Sequence, residues 1–283
     1  MAVRKEARAA AAGSAISARN ELLKASYYYR AALMSMLPDE NPKFPILAWK
    51  SRLCFQKAAK LFNPPIAYIE IPYKDPELPG ATVLPVYFMR VDNSGEKRKT
   101  LIMIGGGETF AEDLFFYIAP AAIERGYNFL TVDLPGQGML PASGYFFKPN
   151  TEAPMKPVLD FACKHPDVDT SRLAVYGISN GGYFVPRTAV YDKRIKAVVV
   201  CSAIIDNYKM FKEMPFATAT EEEIKNWPKF KHDVIAAVAW RFGTDIKGQV
   251  EANKYFQLDP GKIYCPFLDL VASGEYHGET KTQ

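Results

Sequence analysis

A serine between two glycines follows a short apolar stretch near the middle of the chain. Residues 175–183 read VYGISNGGY, so Gly177, Ser179 and Gly181 form a G-x-S-x-G motif. This spacing is typical of a nucleophile elbow, in which a sharp turn from strand to helix exposes a serine hydroxyl. Glycines are needed beside such a turn because larger side chains would collide with the strand and the helix. We therefore expect Ser179 to be a nucleophile, the alternative being an ordinary serine in a glycine-rich turn.

Backbone N–H groups near this serine are candidates for binding a negatively charged oxygen. Asn180 stands at the predicted start of a helix, where its N–H would face a developing oxyanion. A second donor is expected from the glycine run after the third predicted strand, where Gly106 and Gly107 are the candidates. Both places lie at the carboxyl ends of predicted neighbouring strands, where open α/β sheets bind ligands.

The glycine run has two alternative interpretations. A tight turn that binds nothing is the alternative without a function. Nucleotide binding is disfavoured because GGGETF lacks the Lys-Ser/Thr pair of a P-loop and does not have G-x-G-x-x-G spacing. The segment DLPGQG (133–138), after the fourth predicted strand, is expected to be structural, with Asp133 bonding backbone groups.

A catalytic serine also needs an acid that orients its base. Glu275 is the first choice, because it leaves the end of the last predicted strand after a glycine. Glu279 is a weaker alternative, and Asp206, after the strand at 195–203, is a third. Each of these could instead be a solvated loop carboxylate.

The sequence does not identify the histidine that would act as the catalytic base. His165 lies in the turn before the nucleophile strand, His232 lies in a predicted insertion, and His277 comes only two residues after Glu275. In the order Ser…Asp/Glu…His the histidine usually follows a further strand, and none is predicted here. A surface or packing role is expected for each histidine, with His277 at least at the correct end of the sheet.

Composition excludes several classes of protein. The chain has 283 residues, a formal net charge of +4 and 48% hydrophobic residues, and its basic residues are mixed with acids, which disfavours nucleic-acid binding. No apolar run approaches the ~20 residues of a membrane span, and the basic start MAVRKEARAAAAG lacks the apolar core of a secretory signal.

No metal site or cofactor is expected. A cytoplasmic protein with buried reduced thiols is expected from four widely spaced cysteines, Cys54, Cys163, Cys201 and Cys265.

The pattern of elements predicts an α/β fold with a doubly wound, mostly parallel sheet. An N-terminal helical hairpin is predicted over residues 1–65, from helical spacing at 17–37 and 46–62. Strands then alternate with helices over 66–205, which indicates the sheet core. Residues 206–262 lack strand signals and are predicted to be a helical lid, and 263–283 return to the core with a buried strand at 265–273.

These motifs together resemble the α/β-hydrolase superfamily from about residue 66 onward. The helical WKSRLCFQKAA (49–59), PPI (64–66), EIPY (70–73), GGGET (105–109), DLPGQG (133–138) and YGISNGGY (176–183) are similar to a branch with an N-terminal helical segment. That branch includes 2,6-dihydroxypseudooxynicotine hydrolase and fungal hydrolases that shorten a naphthopyrone polyketide. The resemblance implies that Ser179 is the nucleophile, that Asn180 and Gly107 or its neighbour form the oxyanion hole, and that Glu275 is the acid.

The family pattern continues beyond the acid with a helix, a last strand and a histidine loop, so we expect a C-terminally truncated hydrolase without the last strand. The expected substrate is a small molecule with a carbonyl, either a ketone beside an aromatic ring, cleaved at a C–C bond, or an ester. The alternative is a catalytically incomplete protein that binds an acyl or aromatic ligand or a protein partner. An open sheet edge would also allow a homodimer.

Overall fold

A computed structural model describes residues 1–272, and its centre is one seven-stranded sheet in the order β1-β2-β4-β3-β5-β6-β7. The pairs β1–β2 and β2–β4 are antiparallel, and the remaining pairs are parallel. The predicted doubly wound, mostly parallel sheet is confirmed. The strands are β1 (Ala67–Tyr73), β2 (Thr82–Met89), β3 (Arg98–Ile104), β4 (Asn128–Val132), β5 (Val168–Ile178), β6 (Ala197–Cys201) and β7 (Phe267–Asp269).

The central strands are apolar on both faces because helices cover both sides of the sheet. Val175 and Val198 lie in a large core cluster, whereas Met103 and Phe129 lie in a second cluster under α4. The crossover helices are α4 (Ala111–Glu124), α5 (Glu152–Lys164) and α6 (Gly181–Tyr191). From β3 onward, strands alternate with these helices, as the sequence predicts.

Three helices precede the sheet: α1 (Ala2–Ala10), α2 (Ala15–Ala32) and α3 (Lys43–Ala59). The pair α2–α3 is the predicted hairpin, and the alanine-rich start is the additional helix α1. Ser14 caps α2 by accepting a hydrogen bond from the N–H of Ser17, while the chain leaves α3 before the prolines at 64–65. Apolar side chains of α3, including Phe55, pack on the ring of Tyr87 in β2, which joins this segment to the sheet.

Buried charges reinforce the junction between the N-terminal helices and the sheet. Arg52 of α3 donates to Glu112 in the first turn of α4 and to Asp133 after β4, both at 2.7 Å. Arg30 of α2 pairs with Asp113 at 2.8 Å. Both arginines therefore bind residues that flank the carboxyl ends of β3 and β4.

The segment after β6 is helical, as predicted. It contains α7 (Asn207–Lys212), α8 (Pro215–Thr218), α9 (Glu221–Lys225), α10 (Lys229–Arg241) and α11 (Gln249–Ala252). Its apolar residues, such as Phe211 and Phe242, join the main core cluster, so the segment packs on the sheet. The domain boundaries at 65/66, 205/206 and 262/263 stay predictions.

Two details of the sequence analysis are corrected. The predicted buried strand at 265–273 has only three described residues in β7, and Phe267 and Leu268 are 40% and 53% exposed. The reason is that, in the described part of the chain, only β6 pairs with β7. The prediction of buried thiols holds for only one of the four cysteines, since Cys54 is buried, Cys163 and Cys265 are partly exposed, and Cys201 is exposed at the end of β6. Among residues 1–272, no helix has the length and apolar composition needed to cross a bilayer.

Candidate active site

Ser179 follows β5 directly and precedes α6. Its φ is +53°, and it is the only non-glycine residue with positive φ among residues 1–272. Such a conformation is costly for a side-chain-bearing residue and persists only where the surroundings hold it. The Ser179 N–H donates to the carbonyl of Cys201 at the end of β6 at 2.9 Å, which fixes the turn. The serine side chain is exposed.

The glycines of the motif are sterically required. A Cβ on Gly177 would lie 2.1 Å from the carbonyl oxygen of Gly181, and one on Gly181 would lie 2.6 Å from the carbonyl oxygen of Ile104 in β3. Both distances are far below van der Waals contact with backbone atoms that cannot move independently. The G-x-S-x-G spacing therefore allows α6 to start against the ends of β5 and β3.

The glycine run after β3 lies against the serine. A Cβ built on Gly106 would be 2.5 Å from the Cβ of Ser179 and 2.8 Å from its Oγ. Asn180 is next to Gly107, since a Cβ there would lie 3.2 Å from the Nδ2 of Asn180. Thus the structure brings together Ser179 and the three residues predicted to form an oxyanion hole.

The backbone donors at this position are available. Among residues 1–272, the N–H groups of Gly106, Gly107 and Asn180 have no hydrogen-bond acceptor. Buried backbone N–H groups are nearly always paired, so unpaired ones beside an exposed serine are suited to bind an oxygen of a ligand. The lid also reaches this place, because Val238 of α10 would lie 3.7 Å from a Cβ on Gly107.

The histidines predicted as poor bases are placed as follows. His165 precedes β5, so it lies at the opposite end of that strand from Ser179. Its ring packs 4.5 Å from that of Phe88, and burial lowers its pKa. His232 lies in α10, with its Nδ1 3.4 Å from an oxygen of Asp233. Neither imidazole is hydrogen-bonded to the hydroxyl of Ser179 within residues 1–272.

The predicted acids divide into two groups. Asp206 caps α7 by accepting the N–H of Lys209 at 2.9 Å, which is a structural use of its carboxylate. Glu275 and Glu279, together with His277, lie outside the described residues. The identity of the acid and of the base therefore stays a prediction.

Charged residues surround the glycine run, and three of them, Glu108, Arg241 and Arg30, have no role predicted from the sequence. Glu108 follows Gly107, and burial raises the pKa of its carboxyl although Arg241 and Arg30 attract its charge. Arg241, at the end of α10, is 3% exposed, and burial lowers the pKa of its guanidinium to about 10. Asp133 accepts the N–H of Ala111 at 2.6 Å, the backbone contact that its motif predicts. The roles of Arg30 and Arg241 could not be predicted from residue spacing, because their partners are distant in sequence.

Two grooves lie beside the N-terminal helices, and neither is lined by Ser179 or by the glycine run at 105–107. One of about 490 Å³ lies between α2 and the start of α4, and it is lined by Arg30, Glu108, Thr109 and the aromatic residues Tyr27 and Phe116. Another, of about 740 Å³, lies between the lid and the α2–α3 connection, and its lining includes His232 and Trp240. Within residues 1–272, no group of three His, Cys, Asp or Glu side chains could hold a metal ion.

Comparison with known proteins places this arrangement in a family. Residues 1–252 match the family described as esterase FrsA-like. The chain belongs to the FrsA-like esterase family. Over 216 residues it is 36% identical to the "Alpha/beta hydrolase ucsC" of Acremonium sp, covering 70% of this chain and 43% of ucsC. It is also 32% identical to the "20-hydroxy-prefusarin hydrolase FUS2" of Gibberella moniliformis (strain M3125 / FGSC 7600), covering 95% of this chain and 70% of FUS2.

The fold of this FrsA-like member is that of a solved hydrolase. The crystal structure of 2,6-dihydroxy-pseudo-oxynicotine hydrolase superposes with a TM-score of 0.74 at 21% identity, covering 94% of this chain and 70% of that one. The resemblance to this branch of the α/β-hydrolases is therefore confirmed. The aligned part of the chain spans less than half of the length of ucsC.

Proposed function

We propose that this FrsA-like chain is a serine hydrolase in which Ser179 attacks the carbonyl carbon of a small molecule. The observation that carries the proposal is the left-handed conformation of Ser179, which presents an exposed hydroxyl against Gly106. Hydrolase names among the relatives support the reaction class.

In the proposed reaction, Oγ of Ser179 bonds to the carbonyl carbon and the carbonyl oxygen becomes an oxyanion. The N–H groups of Gly106, Gly107 and Asn180 would donate to this oxyanion, which is the charge that develops in the transition state. A base takes the hydroxyl proton, and the leaving group departs with a proton to give an acyl-enzyme. Water then releases the acyl group as a carboxylic acid and restores the serine.

Two substrate classes fit this chemistry. In an ester the leaving group is an alcohol, and in a C–C substrate the acyl group separates from a carbon acid. The groove beside Glu108 and Thr109, the residues that follow Gly107, is lined by the aromatic rings of Tyr27, Phe116 and Tyr117 but not by Ser179. It would take an aromatic or other apolar part of the substrate away from the reacting carbonyl.

The nucleophile is tested with an alkyl fluorophosphonate probe, in which Oγ displaces fluoride from phosphorus. We expect the full chain to be labelled and Ser179→Ala to lose all labelling. Ser171→Ala is the matched control, since Ser171 is an exposed serine on the same strand and should not affect labelling. Labelling of a folded Ser179→Ala protein at the wild-type rate would show that the nucleophile is elsewhere.

The substrate class is tested with a p-nitrophenyl ester and an aryl 1,3-diketone. Mass spectrometry of the products shows which bond is broken, because the ester gives p-nitrophenol and the diketone gives an aryl carboxylic acid and a methyl ketone. Ser179→Ala should abolish both reactions. Hydrolysis of neither compound by a protein that the probe labels at Ser179 would exclude both as substrates.

A second candidate function is ligand binding without turnover. It is favoured by the absence of a hydrogen bond between Ser179 and an imidazole within residues 1–272. An unactivated serine would leave the folded protein unlabelled by the fluorophosphonate, whereas an aryl ketone would still bind in calorimetry. The labelling experiment therefore separates the two functions.

A further inference from the structure

We propose that Gln137 is the positioning residue of the oxyanion hole. It acts through the peptide groups of Gly105, Gly106 and Gly107 and does not itself touch the substrate. The inference rests on the proposed role of Ser179 and adds to it the residue that holds the donors in place.

The amide of Gln137 is fixed at both of its ends. Nε2 donates to the carbonyl of Gly105 at 2.7 Å and to that of Gly106 at 3.3 Å. Oε1 accepts the N–H of Leu134 at 2.9 Å, which decides the orientation of the amide. The side chain is 1% exposed, so water does not compete for these bonds.

These bonds determine where the peptide N–H groups point. In a trans peptide the C=O and the N–H are on opposite sides of the C–N bond. A carbonyl of Gly105 aimed at Gln137 therefore directs the N–H of Gly106 away from it, and the carbonyl of Gly106 does the same for the N–H of Gly107. Thr109 supports this arrangement, because its Oγ1 also donates to the carbonyl of Gly106, at 3.2 Å.

Both of these N–H groups are unpaired within residues 1–272, and Ser179 lies against Gly106. An oxyanion formed on Ser179 would thus meet donors that Gln137 has already oriented. Donors that need no reorganisation during the reaction are the ones that stabilise a transition state most.

The loop that carries Gln137 is itself held by the lid. Arg241 of α10 donates to the carbonyls of Gly136 and Gly138 on either side of it, at 2.9 and 3.2 Å. The N–H of Gly138 donates to the carbonyl of Thr109 at 3.2 Å. Gln137 is therefore anchored between the lid helix and the glycine run.

The geometry requires a side chain that donates at one end and accepts at the other. Glutamine meets both needs, whereas an ionised glutamate has the same shape but only accepts. Gln137→Glu therefore keeps the bond to Leu134 and replaces donation to the two carbonyls by repulsion. It removes the proposed function of the side chain with little change of volume.

The experiment measures the rate of fluorophosphonate labelling of the full chain at pH 8, together with thermal unfolding. We expect Gln137→Glu to be labelled about 10- to 100-fold more slowly, by analogy with the loss of an oxyanion-hole donor. Gln249→Glu is the matched control, because Gln249 is also 1% exposed and its Nε2 donates to a backbone carbonyl, that of Ile246 at 3.0 Å. The control should be destabilised similarly and labelled at the wild-type rate.

A pH series distinguishes positioning from a general structural role. Burial against two carbonyl oxygens raises the pKa of a carboxyl, and its protonated form is a donor. The labelling rate of Gln137→Glu relative to wild type should therefore rise as the pH falls. Loss of packing alone would give a ratio independent of pH.

The outcomes are distinct for the two proposals. An unlabelled wild-type protein overturns both. Labelling of wild type at Ser179 with an equal rate for folded Gln137→Glu overturns only the role of Gln137. Should Gln137→Glu not fold, Gln137→Met keeps a side chain of similar length without the donor and the acceptor, and we expect its labelling to be slowed about 10- to 100-fold; an unchanged rate would refute the inference.

Discussion

The ion pairs of Arg52 offer a quantitative test of how the N-terminal helices support the site. The Arg52 side chain is 9% exposed, and its partners Glu112 and Asp133 are 4% and 1% exposed. Tyr87 also donates to Glu112 at 2.8 Å. Arg52→Met keeps an apolar side chain of similar length but leaves two buried carboxylates without a cation. Removing one partner of a buried pair costs about 3–5 kcal/mol.

The loss of stability caused by Arg52→Met should depend on pH. Without Arg52, Glu112 must be protonated to remain buried, and protonation costs about 1.4 kcal/mol for each pH unit above its ordinary pKa near 4. We therefore expect a loss of stability of about 4 kcal/mol at pH 7 and about 1–2 kcal/mol at pH 5. In wild type, burial is the largest influence and raises the pKa of Glu112, but the charge and hydrogen bond of Arg52, its own backbone and the hydroxyl of Tyr87 together lower it to below its ordinary value.

The direction of the pH dependence follows from the pKa of Glu112 in the folded variant and in the folded wild type. In the variant the pKa of Glu112 is raised above its unfolded value, so stability is lost as the pH rises above about 4. In wild type the pKa of Glu112 is lowered, so its contribution to stability is present in full above its unfolded pKa and is lost only as the pH falls through its folded pKa. Burial raises the pKa of Asp133 to about 7 in wild type, so this residue titrates in both proteins and contributes less to the difference.

The assay is urea unfolding followed by circular dichroism at pH 5 and pH 7. Arg187→Met is the control, since Arg187 binds Glu152 through two bonds of 2.9 and 3.0 Å at a partly exposed position. We expect it to cost at most about 1 kcal/mol. A loss of stability for Arg52→Met that is the same at both pH values would refute the electrostatic reasoning and assign the effect to packing.

Two further predictions concern the glycine run. Gly106→Ala should fold but lose most labelling of Ser179, because the added Cβ would lie 2.5 Å from the Cβ of Ser179; a wild-type labelling rate in a protein with unchanged circular dichroism would contradict this geometry. Burial raises the pKa of Glu108 above its ordinary value of 4.5, so wild type loses stability as the pH rises from about 4.5 through the raised pKa. Glu108→Gln should remove this loss, so that the stability of the variant relative to wild type increases between pH 4.5 and pH 7. Urea unfolding measures both proteins at both pH values, and a difference in unfolding free energy that does not change with pH would contradict the reasoning.

Local patterns were sufficient for most elements. Continuous apolar runs such as TLIMI at 100–104 predict strands buried on both faces, and helical spacing predicts α2 and α3. The burial of residues on an edge strand is harder to predict from sequence, because it depends on what packs beside that strand. For this reason Phe267 in β7 is more exposed than its apolar run indicates.

The sequence by itself determined the turn at Ser179 and its likeness to a nucleophile elbow, because the flanking glycines, the strand and the helix are neighbours along the chain. Only the tertiary structure decided what surrounds that turn. Gln137 binds Gly105 across 32 residues, and Arg241 binds Gly136 across 105. Such contacts depend on how strands are ordered in the sheet and on how the lid packs over them, and no local spacing encodes either.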